Sequence, residues 1–174
     1  SLCFTYLLSK RYFGVQVALI SAGILLLSPI FLDHIHLAAQ DMPLLAIELI
    51  GIYSIAKVEK EKSGVFDVIS GLWIGIGFLI KSFMIFLPVM AILPFILWKK
   101  RYLLSSKLFL VGFVVGCLPA FAWISLSINE YGYVVVSNLF HKLLFLSGET
   151  IFAKGPFYYL WNIPLFTLPW FVFA

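Results

Sequence analysis

The chain has 174 residues, of which 63% are hydrophobic and only 11% are charged, whereas soluble domains carry about 25% charged residues. So few polar groups cannot cover the surface of a water-soluble globular domain, and this class is excluded. The net charge of +4 does not indicate nucleic-acid binding, because the basic residues fall in short clusters between apolar runs. The composition predicts an integral membrane protein.

Seven apolar runs follow one another along the chain, at residues 2–8, 15–32, 42–56, 65–80, 83–98, 108–126 and 156–174. A membrane-spanning helix needs about 20 residues, so the first run is a partial span, and the last run stops without a polar flank. We therefore expect residues 1–174 to be a single transmembrane domain, a fragment truncated at both ends. The predicted fold class is an all-α membrane protein, a bundle of about six to seven transmembrane helices.

Residues 68–98 contain one charge, Lys81, and the flanking basic clusters decide their topology. These clusters are Lys57, Lys60 and Lys62 before the stretch and Lys99, Lys100 and Arg101 after it. Both clusters prefer the cytoplasmic side, so residues 65–80 and 83–98 should form a hairpin with Lys81 at its outer tip. Gly71, Gly75 and Gly77 are expected to let the helices approach closely at this tip.

The same argument assigns nine of the 12 Lys and Arg residues to the cytoplasmic side: Lys10, Arg11, Lys57, Lys60, Lys62, Lys99, Lys100, Arg101 and Lys107. All three histidines then lie on the other side. The sequence thus predicts a multi-pass protein of the plasma or inner membrane, with an extracytoplasmic active face.

Asp41 and Glu48 are the two acids of the run that begins near residue 42. Pro43 suits the first turn of a helix, where the carboxylate of Asp41 is favoured by the free backbone N–H groups. Asp41 is thus either a plain helix cap or a catalytic acid. Glu48 lies two turns deeper on nearly the same face, where ionisable groups usually face a cavity or the bundle interior; a structural hydrogen bond is its simpler interpretation.

Asp33, His34 and His36 crowd one turn, and their spacing could indicate a divalent metal site. No second cluster with ligand spacing supports it, so we predict no metal and expect these histidines to bind a loop or a phosphate. Lys81 either snorkels to the lipid headgroups or binds a phosphate as a point charge.

Residues 128–155 mix polar and apolar side chains. Residues 133–146 are apolar with helical spacing and predict an amphipathic helix at the outer interface, which carries His141. Lys154 precedes the final run, and Tyr158 and Tyr159 lie at its start; an aromatic interfacial belt explains the tyrosines, and lining of an outer cavity is the functional alternative. With Asp33, His34, Glu48 and His141, these three complete the possible cavity-lining residues. Cys3 and Cys117 form no metal or disulfide pattern.

Several short motifs, in this order, resemble the large polytopic glycosyltransferases of the GT-C class. The relatives in question are the dolichyl-phosphate-mannose protein mannosyltransferases and the bacterial aminoarabinose lipid A transferases. The matching segments are SKRYFG at 9–14, LSPIF at 27–31, AQDMPL at 39–44, IGFLIKS at 76–82, KGPFYYL at 154–160 and LPW at 168–170. In the fifth segment Ala153 or Lys154 stands where a His is common, and in the fourth Ser82 stands where a Gly is common.

The resemblance implies transfer of a sugar from a polyprenyl-phosphate donor to a lipid or protein acceptor at the extracytoplasmic surface, usually with inversion. It implies Asp41 as the catalytic carboxylate and Lys81 as a ligand of the donor phosphate. His36 stands where many relatives carry Arg, and it is the second candidate for the phosphate. The family's main acidic motif is expected upstream of residue 1, so the fragment alone should be inactive.

Two other functions remain open at this stage. A transporter or flippase for a lipid-linked saccharide would share an outer polar cavity and basic phosphate contacts, but usually shows inverted repeats, and none is visible. A membrane-anchoring or assembly subunit would need no chemistry. The implied partners are the donor, its acceptor and membrane lipids, without nucleic acid.

Overall fold

The computed structural model describes residues 1–37, 40–59 and 64–148, together with Phe157, Tyr158, Leu160 and Leu165. These ranges form eight α-helices: α1 (Leu2–Phe13), α2 (Val15–Leu26), α3 (Pro29–His36), α4 (Asp41–Lys57), α5 (Val65–Lys81), α6 (Phe86–Lys99), α7 (Lys107–Tyr131) and α8 (Val134–Gly148). Two 3-10 turns, Ser82–Ile85 and Arg101–Ser105, flank α6. The all-α fold class is confirmed.

Local backbone chemistry breaks the first apolar runs into short helices. Gly14, between α1 and α2, has φ +90°, a conformation that a residue with a Cβ rarely adopts. Pro29 occupies the first turn of α3, where its missing N–H costs nothing. The run predicted as one span at 15–32 is therefore wrong in detail, because α2 and the start of α3 meet at a bend of 61°.

The structure has fewer candidate membrane spans than the six to seven predicted. By length and composition, the continuous helical stretches of the described ranges that could cross a bilayer are Val65–Lys99, in which α5, the 3-10 turn and α6 are taken together, and Lys107–Tyr131; the bent α2–α3 pair would add a third. The reason is helix length: the 17 residues of α4 reach roughly 26 Å at 1.5 Å per residue, against a hydrocarbon core of about 30 Å. The predicted span at 156–174 lies outside the described residues apart from four positions.

The segment Val65–Lys99 is a hairpin, as the basic clusters predicted. Its midpoint reaches the start of α4, where Lys81 pairs with Asp41, and its far end returns to the last turn of α4, where the Lys100 ammonium donates to the Val58 carbonyl. A straight helix would instead carry Lys100 roughly 28 Å beyond Asp41. The bundle thus has an Asp41 end and an opposite end, which we call the Lys100 end.

The glycines of α5 pack against α7 and not, as predicted, against the other arm of the hairpin. A Cβ on Gly71 would lie 2.2 Å from the Phe109 carbonyl oxygen, and one on Gly75 would lie 2.1 Å from the backbone of Gly116. These contacts advance in step along both helices, so α5 and α7 run parallel at backbone contact, as small residues permit. Gly77 faces the Ile85 side chain in the following 3-10 turn.

The core lies between α4, α5 and α6. Trp73 on α5 is 2% exposed, and its ring covers Gly51 of α4, where a Cβ would come within 2.2 Å of the ring. Leu44, Ile55, Ile85 and Ile96 belong to the same buried cluster. Because α4 and α5 pack antiparallel through this contact, the first residue of α4 and the last residue of α5 come to lie together.

Candidate functional site

Asp41 and Lys81 form the centre of the Asp41 end, although 40 positions separate them in the sequence. Lys81 Nζ donates to Asp41 Oδ1 and completes an ion pair. The Lys81 side chain is 31% exposed and that of Asp41 is 42% exposed, so a ligand from solvent can reach both groups. Asp41 is in the first turn of α4, as the sequence predicted, where the free backbone N–H groups favour a carboxylate.

Ser82 ends α5 with φ +47°, a backbone conformation that favours glycine. The reversal at Ser82 turns the chain into the 3-10 turn and leaves Lys81 as the last helical residue, beside α4. Family resemblance suggested a Gly at this position, and the positive φ gives the physical reason for it. Sequence reasoning noted the Ser but missed the strained conformation.

Glu48 extends the acidic face of α4 away from Asp41 and towards the core. Its side chain is half-buried, and Lys81 lies close enough to interact with it electrostatically. Lys81 therefore faces two carboxylates of one helix, Asp41 by direct contact and Glu48 at longer range. This arrangement holds the ammonium group over α4 and not out towards the headgroups.

His34 joins this end from α3. Its Nδ1 lies 2.8 Å from the Ile30 carbonyl oxygen, and because a carbonyl only accepts, Nδ1 carries the proton and Nε2 remains for another partner. His34 is close enough to Asp41 to interact electrostatically. Asp33, its neighbour, is exposed. His36 is the last residue of α3, and its side chain lies outside the described part of the structure.

An open cavity of about 780 Å³ lies beside the pair, between α1, α3 and the start of α4. Among the residues predicted to line an outer cavity, the structure places His34 in its wall. The sequence analysis did not predict the other lining residues, among them Ser1, Phe31, Gln40, Met42 and Pro43. Gln40 and Met42 are the neighbours of Asp41 in the sequence, and this position beside the acid could have identified them as cavity-lining residues. The lining is mainly apolar, which suits a lipid-linked ligand more than a free sugar.

An aromatic cluster is formed by the 3-10 turn that follows Lys81. Phe83 in the 3-10 turn stacks on Phe86, with ring centroids 6.2 Å apart, and contacts Phe140 of α8 at 5.7 Å. The helix predicted at 133–146 is confirmed as α8, and this ring contact places it at the Asp41 end. His141, next to Phe140, is exposed.

Three predicted residues remain, Lys154, Tyr158 and Tyr159, and the structure describes one of them. Tyr158 is 40% exposed and lines none of the cavities described here, whereas Lys154 and Tyr159 lie outside the described residues. Among the side chains that the structure describes, which do not include that of His36, no three His, Cys, Asp or Glu side chains are grouped so as to hold a metal ion.

Comparison with known proteins rests on one family model, described as dolichyl-phosphate-mannose-protein mannosyltransferase, which matches residues 1–126. The matched part contains α1 to α6, most of α7, and both members of the Asp41–Lys81 pair. No curated protein and no solved structure matches the chain. The match covers well over half of the chain and confirms the resemblance found in the sequence. The chain belongs to the dolichyl-phosphate-mannose-protein mannosyltransferase family, and therefore to the integral-membrane glycosyltransferases.

Proposed function

We propose that this chain carries the catalytic acid and the donor-phosphate ligand of a multi-pass glycosyltransferase. Its donor is a polyprenyl-phosphate sugar, and its acceptor is a protein or lipid hydroxyl on the extracytoplasmic side. One observation carries the proposal: Asp41 and Lys81, a carboxylate and an ammonium group from two helices, meet at an accessible end of the bundle beside an apolar cavity.

The chemistry divides between the two groups. Asp41 accepts the proton of the acceptor hydroxyl as general base, and the acceptor oxygen forms a bond to the anomeric carbon of the donor. The bond from that carbon to the phosphate oxygen breaks, and the polyprenyl phosphate leaves with the electron pair. Lys81 stabilises the negative charge that develops on the leaving phosphate.

The observed ion pair is the resting state of this mechanism. A phosphate that enters the site competes with Asp41 for the Lys81 ammonium, because a phosphate offers several strong acceptor oxygens. Once Lys81 turns to the donor, the carboxylate of Asp41 is released towards the acceptor. His34, whose Nε2 remains for a partner, and His36 are further candidates for contact with the phosphate.

Substitutions at the pair test this division of roles in membranes that contain the full-length protein and labelled polyprenyl-phosphate mannose. Asp41→Asn should lower kcat by about 10²–10⁴-fold, the usual contribution of a general base, with little change in the donor KM. Lys81→Ala should raise the donor KM. Asp67→Asn at the opposite end of α5 is the control, because the partner of that carboxylate among the described residues is the local backbone N–H of Gly64.

The paired exchange Asp41→Lys with Lys81→Asp separates chemistry from structure. If the pair serves only to hold α4 against α5, the exchange restores the ion pair and transfer returns to the wild-type rate. If each group has its own role, the protein folds but transfer stays low. Wild-type rates in Asp41→Asn and Lys81→Ala would remove the proposal. If membranes that contain the full-length protein translocate a lipid-linked saccharide but transfer no sugar, the flippase alternative is favoured.

Membrane sidedness is the second part of the proposal. Lys10, Lys57, Lys99 and Lys100 gather at the Lys100 end, and such clusters prefer the cytoplasm, so Asp41 and Lys81 face outward. With Cys3 and Cys117 replaced by Ser, Ser82→Cys should react with a membrane-impermeant maleimide from the extracytoplasmic side, and Ser106→Cys from the cytoplasmic side. Reaction of both from one side would overturn the orientation.

A further inference from the structure

Glu48 is an ionisable residue of α4 to which the proposed mechanism gives no role. It follows Asp41 by seven residues, nearly two helical turns, so the two carboxyl groups share a helix face roughly 10 Å apart along the axis. Two contacts align α4 with α5, that of Asp41 with Lys81 and that of Gly51 with Trp73. Glu48 lies between these positions along α4 and belongs to the side of the helix that faces α5.

Lys81 connects Glu48 to the site, because the two side chains interact electrostatically. Side chains of a helix lean towards its N-terminus. Since α4 and α5 pack antiparallel, Glu48 leans towards Asp41, and Lys81 leans back towards the level of Glu48. Burial opposes a charge on Glu48, whereas the ammonium group stabilises it. Its partly exposed side chain thus presents a second carboxylate to Lys81.

The donor and the product of the proposed reaction differ in the charge of their phosphate. The donor is a phosphodiester with a single negative charge, whereas the polyprenyl phosphate that leaves is a monoester with a charge of about −1.5 to −2 at pH 7. When the product forms, Asp41 has accepted the proton of the acceptor hydroxyl and is neutral. Of the two acids of α4, Glu48 is the one that then keeps a negative charge.

We propose that Glu48 is a positioning residue that promotes release of the polyprenyl phosphate product. Its charge attracts the Lys81 ammonium back to α4 and repels the monoester more strongly than the diester donor. When Asp41 passes its proton to water, the ion pair with Lys81 forms again and the phosphate leaves. This role rests on the proposed phosphate site at Lys81.

Two short-chain probes, farnesyl phosphate and its methyl phosphodiester, test this role through their affinities for the full-length protein in detergent. Glu48→Gln should strengthen the binding of farnesyl phosphate relative to the diester by about 2–15-fold, for charges roughly 10 Å apart at an effective dielectric constant between about 80 and 20. Glu48→Asp keeps the charge and should keep the wild-type ratio. Lys81→Ala should weaken both probes, because it removes the ligand of their phosphate.

Glu130→Gln is the matched control for surface charge. Glu130 is an exposed residue near the end of α7, which runs parallel to α5, so it lies at the same end of the bundle. Water and salt screen its charge, and the ratio of the two affinities should change by less than about 1.5-fold. A change in Glu130→Gln as large as that in Glu48→Gln would overturn the inference.

The remaining outcomes separate this role from the proposed function. An unchanged ratio in Glu48→Gln, with or without a loss of thermal stability, would overturn the role of Glu48 and leave the phosphate site at Lys81 intact. Failure of the wild type to bind either probe would overturn both proposals. In transfer assays, Glu48→Gln should lower the inhibition constant of polyprenyl phosphate more than the donor KM; an equal effect on both would contradict selective release of the product.

Discussion

Replacement of Gly112 by Ala tests the parallel contact between α5 and α7, which fixes the position of Lys81. A Cβ at this position would lie 2.0 Å from the carbonyl oxygen of Val68, whereas an ordinary contact begins at 3.4 Å. The two helices must therefore separate by about 1.4 Å at this level, the difference of those two distances. A backbone carbonyl cannot rotate away as a flexible side chain can.

The magnitude follows from two opposed terms. Alanine in place of glycine gains up to about 1 kcal/mol in a helix, and an overpacked contact costs about 1–3 kcal/mol. With 1.4 Å of overlap against backbone the cost lies at the upper limit, so Gly112→Ala should lower the free energy of unfolding by about 2 kcal/mol. Because α5 carries Lys81 at its end, a shift of this size should also reduce transfer, by up to about 10²-fold.

Gly23→Ala in α2 is the matched control, because a Cβ there meets nothing within 4 Å. It should raise stability by up to about 1 kcal/mol through helix propensity alone. At 2–4 °C per kcal/mol for a chain of this size, the thermal midpoints of the two variants in detergent should differ by roughly 6–12 °C. Equal midpoints for Gly112→Ala and Gly23→Ala would refute the close α5–α7 contact.

Two further substitutions test the ends of the hairpin. Ser82→Gly should raise the free energy of unfolding by about 1 kcal/mol, because a residue with a Cβ at φ +47° is strained; a lower thermal midpoint than that of the wild type would contradict this strain. Tyr102→Phe removes the hydroxyl that donates to the Val58 carbonyl oxygen at 3.0 Å and should lower stability by about 0.5–1.5 kcal/mol; an unchanged midpoint would show that Lys100, which bonds to the same oxygen, secures this end alone.

The hairpin was the most accurate of the detailed predictions. It rests on the distribution of charge along a long segment and not on contacts between particular residues. A charged cluster avoids crossing the bilayer, so two basic clusters on either side of one apolar stretch require an even number of crossings. This argument needs no knowledge of packing. It correctly brought Lys100 back to the end of the bundle where α4 finishes, and it left Lys81 at the opposite end.

Helix breaks and glycine partners were predicted less well, because they depend on contacts between elements. The apolar run at 15–32 shows no polar interruption, yet Ser28 and Pro29 end one helix and begin another at a bend of 61°. Gly71 and Gly75 were correctly identified as sites of close approach. Their partner is α7, which is remote in sequence, and spacing alone could not distinguish it from α6.

In the candidate site, too, single residues were predicted from the sequence, whereas their contacts were not. Asp41 and Lys81 were identified separately, from the helix start, the lone charge and the family motifs, and each lies at the end of the helix where the sequence placed it. Their direct pairing depends on the contact of Trp73 with Gly51, which sets α4 and α5 side by side in register. The Asp41-end cavity, the positive φ of Ser82 and the aromatic contact of Phe83 with α8 likewise became visible only in the folded chain.

The sequence by itself determined that this is an all-α membrane protein, which family it belongs to, and that Lys81 and Lys100 lie at opposite ends of the bundle. Hydropathy and charge are sums over a segment, so they can be read before any contact is known. The tertiary structure decided which helices touch, where they break, and which side chains form a pair. Those features depend on contacts of a few ångströms between residues far apart in sequence, and on whether a Cβ fits between two backbones.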